Sequence, residues 1–250
     1  MGQPAALAFK AKTMINFFRR IRKKLADDNK PLKYMRYAIG EIVLVVFGIL
    51  IALTINNKNE ARKTKQFEYE ILLDISISMD ENFASLNRCL NASKKAIRSA
   101  NIILQFLEEN LPYHDSLDVH FSTSLEWCSL SLTNAGYESL KTYGRNLITN
   151  DTIRENLGVY DAGWIETLAQ RQEDYFYNTA SPVLVGLFEK VAMRTEMKPF
   201  NYEELKNSNS YISILKTSKA YREDQVYWYT EWQIFLTNTY ELINRELKKK

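Results

Sequence analysis

Residues that break regular structure are scarce in this sequence. Its 250 residues include only 8 Gly and 5 Pro, and long tracts rich in Leu, Ile, Glu, Lys, Asn and Ala contain neither. This scarcity excludes a chain divided by many tight turns and predicts a mostly α-helical fold. The 46% hydrophobic and 12% aromatic content excludes disorder as the default, because it is enough for one medium domain and a membrane anchor.

Recognisable catalytic and ligand-binding motifs are also missing. The sequence has no G-x-S-x-G, H-E-x-x-H, phosphate-binding loop or paired-cysteine motif. An enzyme built on this chain would have to use scattered carboxylates, which cannot be told from ordinary surface charge. We therefore expect a protein that is not an enzyme and that has no cofactor and no metal site.

Histidine is limited to two residues, His114 and His120, which share the stretch HDSLDVH with Asp115 and Asp118. These residue types bind metals, but ligands on one helix usually stand four residues apart, and these two histidines stand six apart. A solvated, acidic turn between helices explains the stretch better than a metal site does.

Cysteine is limited to Cys89 and Cys128. An oxidising compartment would allow a disulfide between them, and buried free thiols explain them at least as well. The sequence leaves both alternatives open.

Charge is distributed unevenly along the chain, although the net charge is only +3. Residues 1–36 hold ten Lys or Arg and two Asp, whereas residues 56–250 hold 23 bases and 27 acids. The basic end lies directly before the longest apolar run of the chain.

That run, YAIGEIVLVVFGILIALTI (Tyr37–Ile55), predicts a transmembrane helix. At 1.5 Å per residue it covers about 28 Å, close to the roughly 30 Å of the hydrocarbon layer. Each strongly apolar residue favours insertion by about 0.3 to 0.6 kcal/mol, and together they outweigh a cost of about 3 kcal/mol for the single acid, Glu41. A cleaved signal peptide is not expected, because the leader is long and no small-residue cleavage site follows the apolar core.

The flanking charges predict the orientation of this helix. Ten bases precede it and only four follow within the next twenty residues, so the positive-inside rule places the amino terminus in the cytoplasm. No second apolar run of similar length follows. We expect a single-pass membrane protein, with residues 1–36 cytoplasmic, residues 37–55 in the membrane and residues 56–250 on the far side, which in a Gram-negative bacterium is the periplasm.

The basic leader contains an amphipathic pattern that begins at Met14, in MINFFRRIRKKL. Five bases alternate there with apolar residues: Arg19, Arg20, Arg22, Lys23 and Lys24. This pattern is typical of a helix that contacts anionic lipid headgroups, and a topology signal made of positive charge alone explains it equally well. A nucleic-acid-binding arm is not expected beside a membrane span. Met14 is an alternative start of the chain.

One face of the predicted membrane helix suits self-association. Glu41, Val45, Gly48 and Ala52 lie along this face, in which Gly48 and Ala52 form a small-x-x-x-small contact. In a homo-oligomer the Glu41 side chains would meet at the cytoplasmic mouth of the helix cluster. Alternatively, Glu41 reaches the headgroups, or pairs with a neighbour such as Arg36, at small cost.

Beyond the membrane, Asn57–Asn110 contains neither Pro nor Gly and carries one apolar stripe at helical spacing. The stripe consists of Phe67, Ile71, Ile75, Met79, Phe83, Leu86, Leu90, Ile97, Leu104 and Leu107. A helix of this length with one apolar face has to pack on other helices of its own chain or on copies of itself.

Four further helical segments are predicted to supply such partners. They are Ser116–Tyr143, the segment between Asn150 and Ser181, Val183–Met197, and Ser208–Lys250. Gly144 suits the αL conformation after a helix, and Asn150 offers an N-cap side chain. We expect an all-α fold, in which a single transmembrane helix continues into a long helix and the rest forms an antiparallel extracytoplasmic helical bundle.

The last of these segments is rich in aromatic residues, in YREDQVYWYTEWQIF (Tyr221–Phe235). Its composition suits a ligand platform, but Trp228, Trp232 and Phe235 recur at helical spacing. We expect these three side chains to pack in the core.

The residues from Ile15 to Glu60, INFFRRIRKKL…NKPLKYMRYAIGEIVLVVFGILIALTINNKNE, resemble the start of a bacterial family of single-span membrane proteins of unknown function. A second stretch, AGYESLKTYGRNLITNDTIRENLGVY (Ala135–Tyr160), is similar to a later segment of such proteins. The resemblance implies an inner-membrane anchor with a helical extracytoplasmic domain, and it implies no catalytic residues. Lys58 departs from the family pattern, in which Trp is expected.

Together these features predict a membrane-anchored periplasmic helical scaffold, or a sensor-like or accessory subunit of an inner-membrane complex. We expect it to contact the lipid bilayer and its anionic headgroups, to form a homo-oligomer, and to bind other membrane or periplasmic proteins. The alternative is a homo-oligomeric membrane channel with Glu41 at its cytoplasmic mouth.

Overall fold

The computed structural model describes residues 31–160 and 163–249, and these ranges contain helices and no strand. The helices are α1 (Pro31–Glu108), α2 (Leu117–Leu125), α3 (Ala135–Tyr143), a 3-10 turn (Arg145–Leu147), α4 (Asp151–Val159), α5 (Gly163–Tyr175), a π-helical turn (Phe176–Ala180), α6 (Ser181–Leu184), α7 (Tyr202–Lys206) and α8 (Asn209–Leu247). One isolated antiparallel bridge pairs Phe188 with Pro199. The predicted all-α class is confirmed.

Helix α1 contains both the predicted membrane segment and the long helix predicted after it. It begins at Pro31, a residue suited to the first helical turn because its missing N–H would have no partner there. It ends at Glu108, two residues before the predicted end. The chain divides into two compact units, unit 1 (Met1–Lys65) and unit 2 (Gln66–Lys250).

Unit 2 contains two helices that each bury one narrow stripe of side chains. In α1 the stripe consists of Glu68, Leu72, Ile75, Met79, Asn82, Leu86, Cys89, Ser93, Ala96, Ala100 and Ile103. In α8 it consists of Tyr211, Leu215, Ser218, Arg222, Gln225, Tyr229, Trp232, Leu236, Thr239 and Ile243. The steps alternate between three and four residues, which keeps every member on one face of its helix.

Hydrogen bonds between side chains join these two helices. The pairs are Ser76 with Asn244 (3.4 Å), Asp80 with Tyr240 (3.0 Å), Asn87 with Gln233 (2.9 Å) and Ser93 with Gln225 (3.1 Å). Residue numbers rise along α1 as they fall along α8. Over this length the two helices therefore lie side by side and run in opposite directions.

The predicted stripe of α1 is only half right. Five of its ten members are buried, namely Ile71, Ile75, Met79, Leu86 and Leu90, and the other five are partly buried. The observed stripe also contains polar members such as Glu68, Asn82 and Ser93. A hydrophobic pattern cannot reveal these residues, since each is buried because of a hydrogen-bond partner elsewhere in the fold.

Arg222 is the most demanding of the buried polar side chains, with 1% of its surface exposed. Its guanidinium donates to the Glu126 carbonyl oxygen (Nε, 3.1 Å, and also Nη2), to Gln172 Oε1 (Nη1, 2.7 Å) and to the Ser218 carbonyl oxygen (Nη1, 3.0 Å). Burial lowers the pKa of Arg222 to about 10, so the group stays charged at neutral pH. The neutral oxygens of α5, α8 and the residue after α2 thus solvate a buried cation.

Asn82 plays a similar part further along α1. Its amide donates to the Thr133 carbonyl oxygen (3.0 Å) and to the Tyr160 hydroxyl (3.0 Å), and its oxygen accepts from the Thr133 N–H (2.7 Å). The backbone after α2 and before α3 is therefore bound from one end by Asn82 and from the other by Arg222.

Cys89 and Cys128 are joined by a disulfide, with their Cα atoms 5.2 Å apart. The bond links α1 to the same segment, residues 126–134, that Asn82 and Arg222 bind. Of the two alternatives that the sequence leaves open, the structure has the disulfide.

Two groups of buried apolar side chains fill unit 2. The first joins α1 to α3, α4, α5 and the second half of α8, and includes Met79, Leu140 and Leu157. The second joins the end of α1 to α2, the π-helical turn, α6, α7 and the start of α8, and includes Phe121 and Tyr211.

Four sequence expectations about helix boundaries meet different outcomes. Ser116–Tyr143 is not one helix but two, α2 and α3, because residues 126–134 between them are not helical and are bound by side chains from other helices. The prediction of a helix over Val183–Met197 is wrong, since the helix in this region is Ser181–Leu184. The Asn150 cap is confirmed, since its side chain accepts from the Ile153 N–H at 3.2 Å. Gly144 has the expected positive φ of 91°, but its ψ of 139° is not αL.

Gly136 provides a test of how closely α3 approaches α1. A Cβ at Gly136 would lie 2.6 Å from the Ile75 backbone nitrogen and 2.8 Å from the Asp74 carbonyl carbon. Although Ala usually favours a helix over Gly, we expect Gly136→Ala to destabilise unit 2 by about 2 kcal/mol and to lower its melting temperature by about 6 °C.

Thermal unfolding of the full chain in detergent, followed by circular dichroism, measures this effect. Gly186→Ala is the matched control, because a Cβ there meets only the Val183 carbonyl oxygen at an ordinary 3.6 Å. Equal melting temperatures for the two variants would contradict the close approach of α3 and α1.

Candidate functional site

The apolar segment of unit 1 is exposed at every residue from Ile42 to Ile55. An 18-residue window of α1 has a mean hydropathy of 2.7, and none of it is buried. Its large apolar side chains are 45% to 66% exposed, the extremes being Val43 and Leu44. Among the described residues, α1 is the one helix that is long and apolar enough to cross a membrane.

The predicted association face lies on this uncovered segment. Val45, Gly48 and Ala52 are exposed, and Glu41 is half-buried. A Cβ added at Gly48 would meet nothing within 4 Å, so the chain itself leaves space for a neighbouring backbone there. That a second copy occupies this space stays a prediction.

The predicted membrane-surface contacts cannot be placed. Arg19, Arg20, Arg22, Lys23 and Lys24 all lie outside the described residues. Their contact with anionic headgroups therefore stays a prediction from the sequence.

The stretch HDSLDVH differs from the expected solvated turn. His114 and Asp115 are exposed, but Asp118 is only 8% exposed and begins α2 together with Leu117. The Tyr113 hydroxyl donates to Asp118 Oδ1 at 2.7 Å. Burial raises the pKa of Asp118, and the hydrogen bond from Tyr113 opposes that rise.

His120 faces α1 rather than the other residues of this stretch. Its Nδ1 lies 3.1 Å from the Ser99 hydroxyl oxygen, and burial lowers the pKa of the imidazole. Within the described ranges, no group of three or more His, Cys, Asp or Glu side chains is arranged to hold a metal ion. The two groups of this stretch whose pKa values are shifted therefore make separate contacts, Asp118 with the loop before α2 and His120 with α1.

An open aromatic groove lies in unit 2 between α4, α5 and α8. Its volume is about 220 Å³, and it is lined by Val159, Trp164, Trp228, Glu231, Trp232 and Phe235. The rings of Trp164 and Trp228 stand nearly perpendicular, at 89°, with their centroids 5.5 Å apart. They are 42% and 41% exposed, so these two rings form the part of the groove that solvent reaches.

The expectation that the aromatic residues of α8 pack in the core is right for some of them. Trp232 is 5% exposed and stacks on Tyr160 at 6.1 Å, and Phe235 packs partly buried against the first core group. The expectation is wrong for Trp228, because this residue lies beside the buried stripe of α8 rather than on it. The sequence missed the pairing of Trp164 with Trp228, and no local signal reveals it, since the two residues are on different helices.

The chain matches no protein-family model, no curated protein sequence and no solved structure. The resemblance to single-span membrane proteins therefore stays a prediction, and function has to be argued from the residues of the chain itself.

The two histidines provide a test of the contact between α2 and α1. Burial disfavours the imidazolium of His120 in the folded protein, whereas a histidine in the unfolded chain titrates near pH 6.5, about its ordinary value. In acid, His120 therefore takes up a proton when the chain unfolds, and this favours the unfolded state. The fold loses stability through this group as the pH falls below about 6.5.

We expect His120→Gln to lose less stability than the wild type between pH 7.5 and pH 5.5. Melting temperatures of the full chain in detergent at the two pH values measure the difference. His114→Gln, at an exposed position, should keep the wild-type dependence. The assignment fails if His120→Gln and His114→Gln change with pH to the same extent.

Proposed function

We propose that the protein is a membrane-anchored extracytoplasmic helical scaffold that acts as an accessory or sensor-like subunit of a bacterial inner-membrane complex. The observation that carries the proposal is the uncovered apolar segment of α1, with a mean hydropathy of 2.7 and no buried residue in its window. Monomeric soluble proteins rarely expose a contiguous apolar surface of this extent. A bilayer would cover it, at a length that suits the hydrocarbon layer.

The proposed orientation is supported by two further features. The ten bases of residues 1–36 favour retention of the amino terminus in the cytoplasm. The disulfide between Cys89 and Cys128 favours an oxidising compartment for unit 2, since such bonds are rare in the cytosol. In this proposal unit 2 lies in the periplasm and the chain crosses the inner membrane once.

We further propose that the helices of unit 2 form an antiparallel bundle whose role is to bind other proteins rather than to catalyse a reaction. The opposed direction of α1 and α8, read from their hydrogen-bonded pairs, supports the bundle. The titratable groups whose pKa values are shifted each bond to a separate partner: Asp118 to Tyr113 of the loop before α2, His120 to Ser99 of α1, and Arg222 to Gln172 of α5. This arrangement favours a scaffold, because catalysis needs such groups to converge on one accessible site.

The orientation predicts the state of the two cysteines in living cells. Cells are treated with acid to trap thiols, and the denatured protein is then reacted with a maleimide that carries a polymer large enough to shift its mobility on a gel. We expect no shift until a reductant is added, because a periplasmic disulfide protects both sulfur atoms.

Cys89→Ser is the matched control for this experiment. It leaves Cys128 as the one cysteine of the chain, so it should shift without reductant. If the wild type shifted without reductant as Cys89→Ser does, unit 2 would be exposed to the reducing cytoplasm and the proposed orientation would be wrong.

Self-association of the membrane helix is the remaining part of the proposal. The open space at Gly48 allows close approach of a second helix, so Gly48→Leu should shift the full chain in mild detergent to a smaller assembly. Phe47→Leu is the control, because it keeps an apolar side chain one position away and off the face of Glu41, Val45 and Ala52.

Light scattering coupled to size-exclusion chromatography measures both variants. Equal masses for Gly48→Leu and the wild type would exclude this face as the contact. The channel alternative is distinguished by conductance, which a scaffold does not give when the full chain is reconstituted in planar bilayers.

A further inference from the structure

The aromatic groove of unit 2 contains a corner made by two tryptophan rings. Trp164 and Trp228 meet edge to face, at 89° and a centroid distance of 5.5 Å. In this geometry the edge of one ring contacts the face of the other, so the two ring planes form a right-angled corner. Tyr227 also contacts Trp228, at 77° and a centroid distance of 4.9 Å. The face of an indole carries negative charge density, so a cation in the corner is attracted by both rings.

Packing does not account for the position of these two rings. Trp232 and Phe235 cover the core beneath the groove, whereas Trp164 and Trp228 remain 42% and 41% exposed and contact each other. Leaving two large apolar rings in water costs free energy. A ligand that covers them would recover that cost.

Glu231 adds the one charge among the six residues that line the groove. Its side chain is exposed, and it makes no ion pair with any described residue. Among the described residues that line the groove, none is Lys or Arg. The groove is therefore complementary to a positive charge.

The composition of the lining restricts the kind of cation. A primary ammonium carries three N–H donors and is strongly hydrated, but Glu231 is the one lining side chain that offers a strong acceptor. A quaternary ammonium has no N–H to satisfy, and its methyl groups suit the apolar faces of Trp164, Trp228 and Val159. Aromatic residues arranged around a cation are a known mode of binding for such groups.

The size of the groove restricts the rest of the ligand. Its 220 Å³ is below the roughly 300 to 1,000 Å³ of pockets that enclose a whole drug-sized ligand. The groove can hold a headgroup while the remainder of the molecule stays in solvent.

We propose that the groove binds the quaternary ammonium group of a small ligand, with the methyl groups against Trp164 and Trp228 and the carboxylate of Glu231 facing the charge. The site lies wholly within unit 2, so the proposal goes beyond the scaffold function and does not depend on membrane orientation or self-association.

Choline and two analogues test the proposal on the full chain in a maltoside detergent, which carries no ammonium group. The neutral analogue 3,3-dimethylbutan-1-ol has the shape of choline without its charge, and ethanolamine has the charge without the methyl groups. Titrations followed by tryptophan fluorescence should give choline a dissociation constant about tenfold lower than either analogue.

Substitutions then assign the binding to the corner and to the charge. Trp228→Ala and Trp164→Ala should weaken choline about tenfold. Glu231→Gln is an isosteric change at an exposed position. It should reduce the preference for choline over the neutral analogue and leave the dissociation constant of the neutral analogue unchanged. Phe200→Ala is the control, since Phe200 is an exposed aromatic residue (64%) that does not line the groove.

Three results would overturn the proposal. Choline that does not bind saturably, or that binds no better than its neutral analogue, would exclude a cation site. If Phe200→Ala weakened choline binding as strongly as Trp228→Ala does, the groove would be excluded as the binding site. Glu231→Gln leaves the packing intact. Its preference for choline over the neutral analogue therefore tests the proposal even if a tryptophan variant fails to fold.

A lipid headgroup and a free solute share this chemistry. Choline is therefore also titrated against the full chain in phosphatidylglycerol nanodiscs, with and without added phosphatidylcholine. Competition by phosphatidylcholine would support the site with a lipid as its ligand, and unchanged choline binding would support it with a soluble ligand.

Discussion

The lengthwise contact between α1 and α8 is the interaction on which the rest of unit 2 depends. Each helix buries a stripe that repeats at steps of three and four residues, and polar members fix how the stripes align. Ser93 with Gln225 is one such pair. Sliding one helix by a turn would separate the buried Ser93 from Gln225 and Asn87 from Gln233, and a buried polar group that loses its partner costs free energy.

The same polar side chains also determine how the shorter helices are arranged. Arg222 binds the backbone at Glu126, Asn82 binds it at Thr133, and the disulfide at Cys128 lies between these points. This segment therefore cannot continue α2, and the chain returns to α1 as a second helix, α3. The close approach at Gly136 is a consequence, since α3 starts where the segment is already bound to α1.

The two proposals use different parts of this arrangement. The scaffold function relies on the uncovered apolar segment of unit 1, which the bilayer would solvate. The cation site relies on the packing of α5 against α8 in unit 2, where the contact of Gln225 with the Leu168 carbonyl oxygen (2.8 Å) and of Gln172 with Arg222 (2.7 Å) holds the helix of Trp164 beside that of Trp228. A groove built on two packed helices keeps its rings in place before a ligand arrives.

The sequence by itself determined the helical class, the apolar segment Tyr37–Ile55, the cap at Asn150 and the long last helix, because these follow from local composition and from periodicity along one helix. Only the tertiary structure decided the disulfide, the break between α2 and α3, the burial of Arg222, and the meeting of Trp164 with Trp228. Each of these depends on residues far apart in the chain, and the pattern within one segment carries no information about its partner.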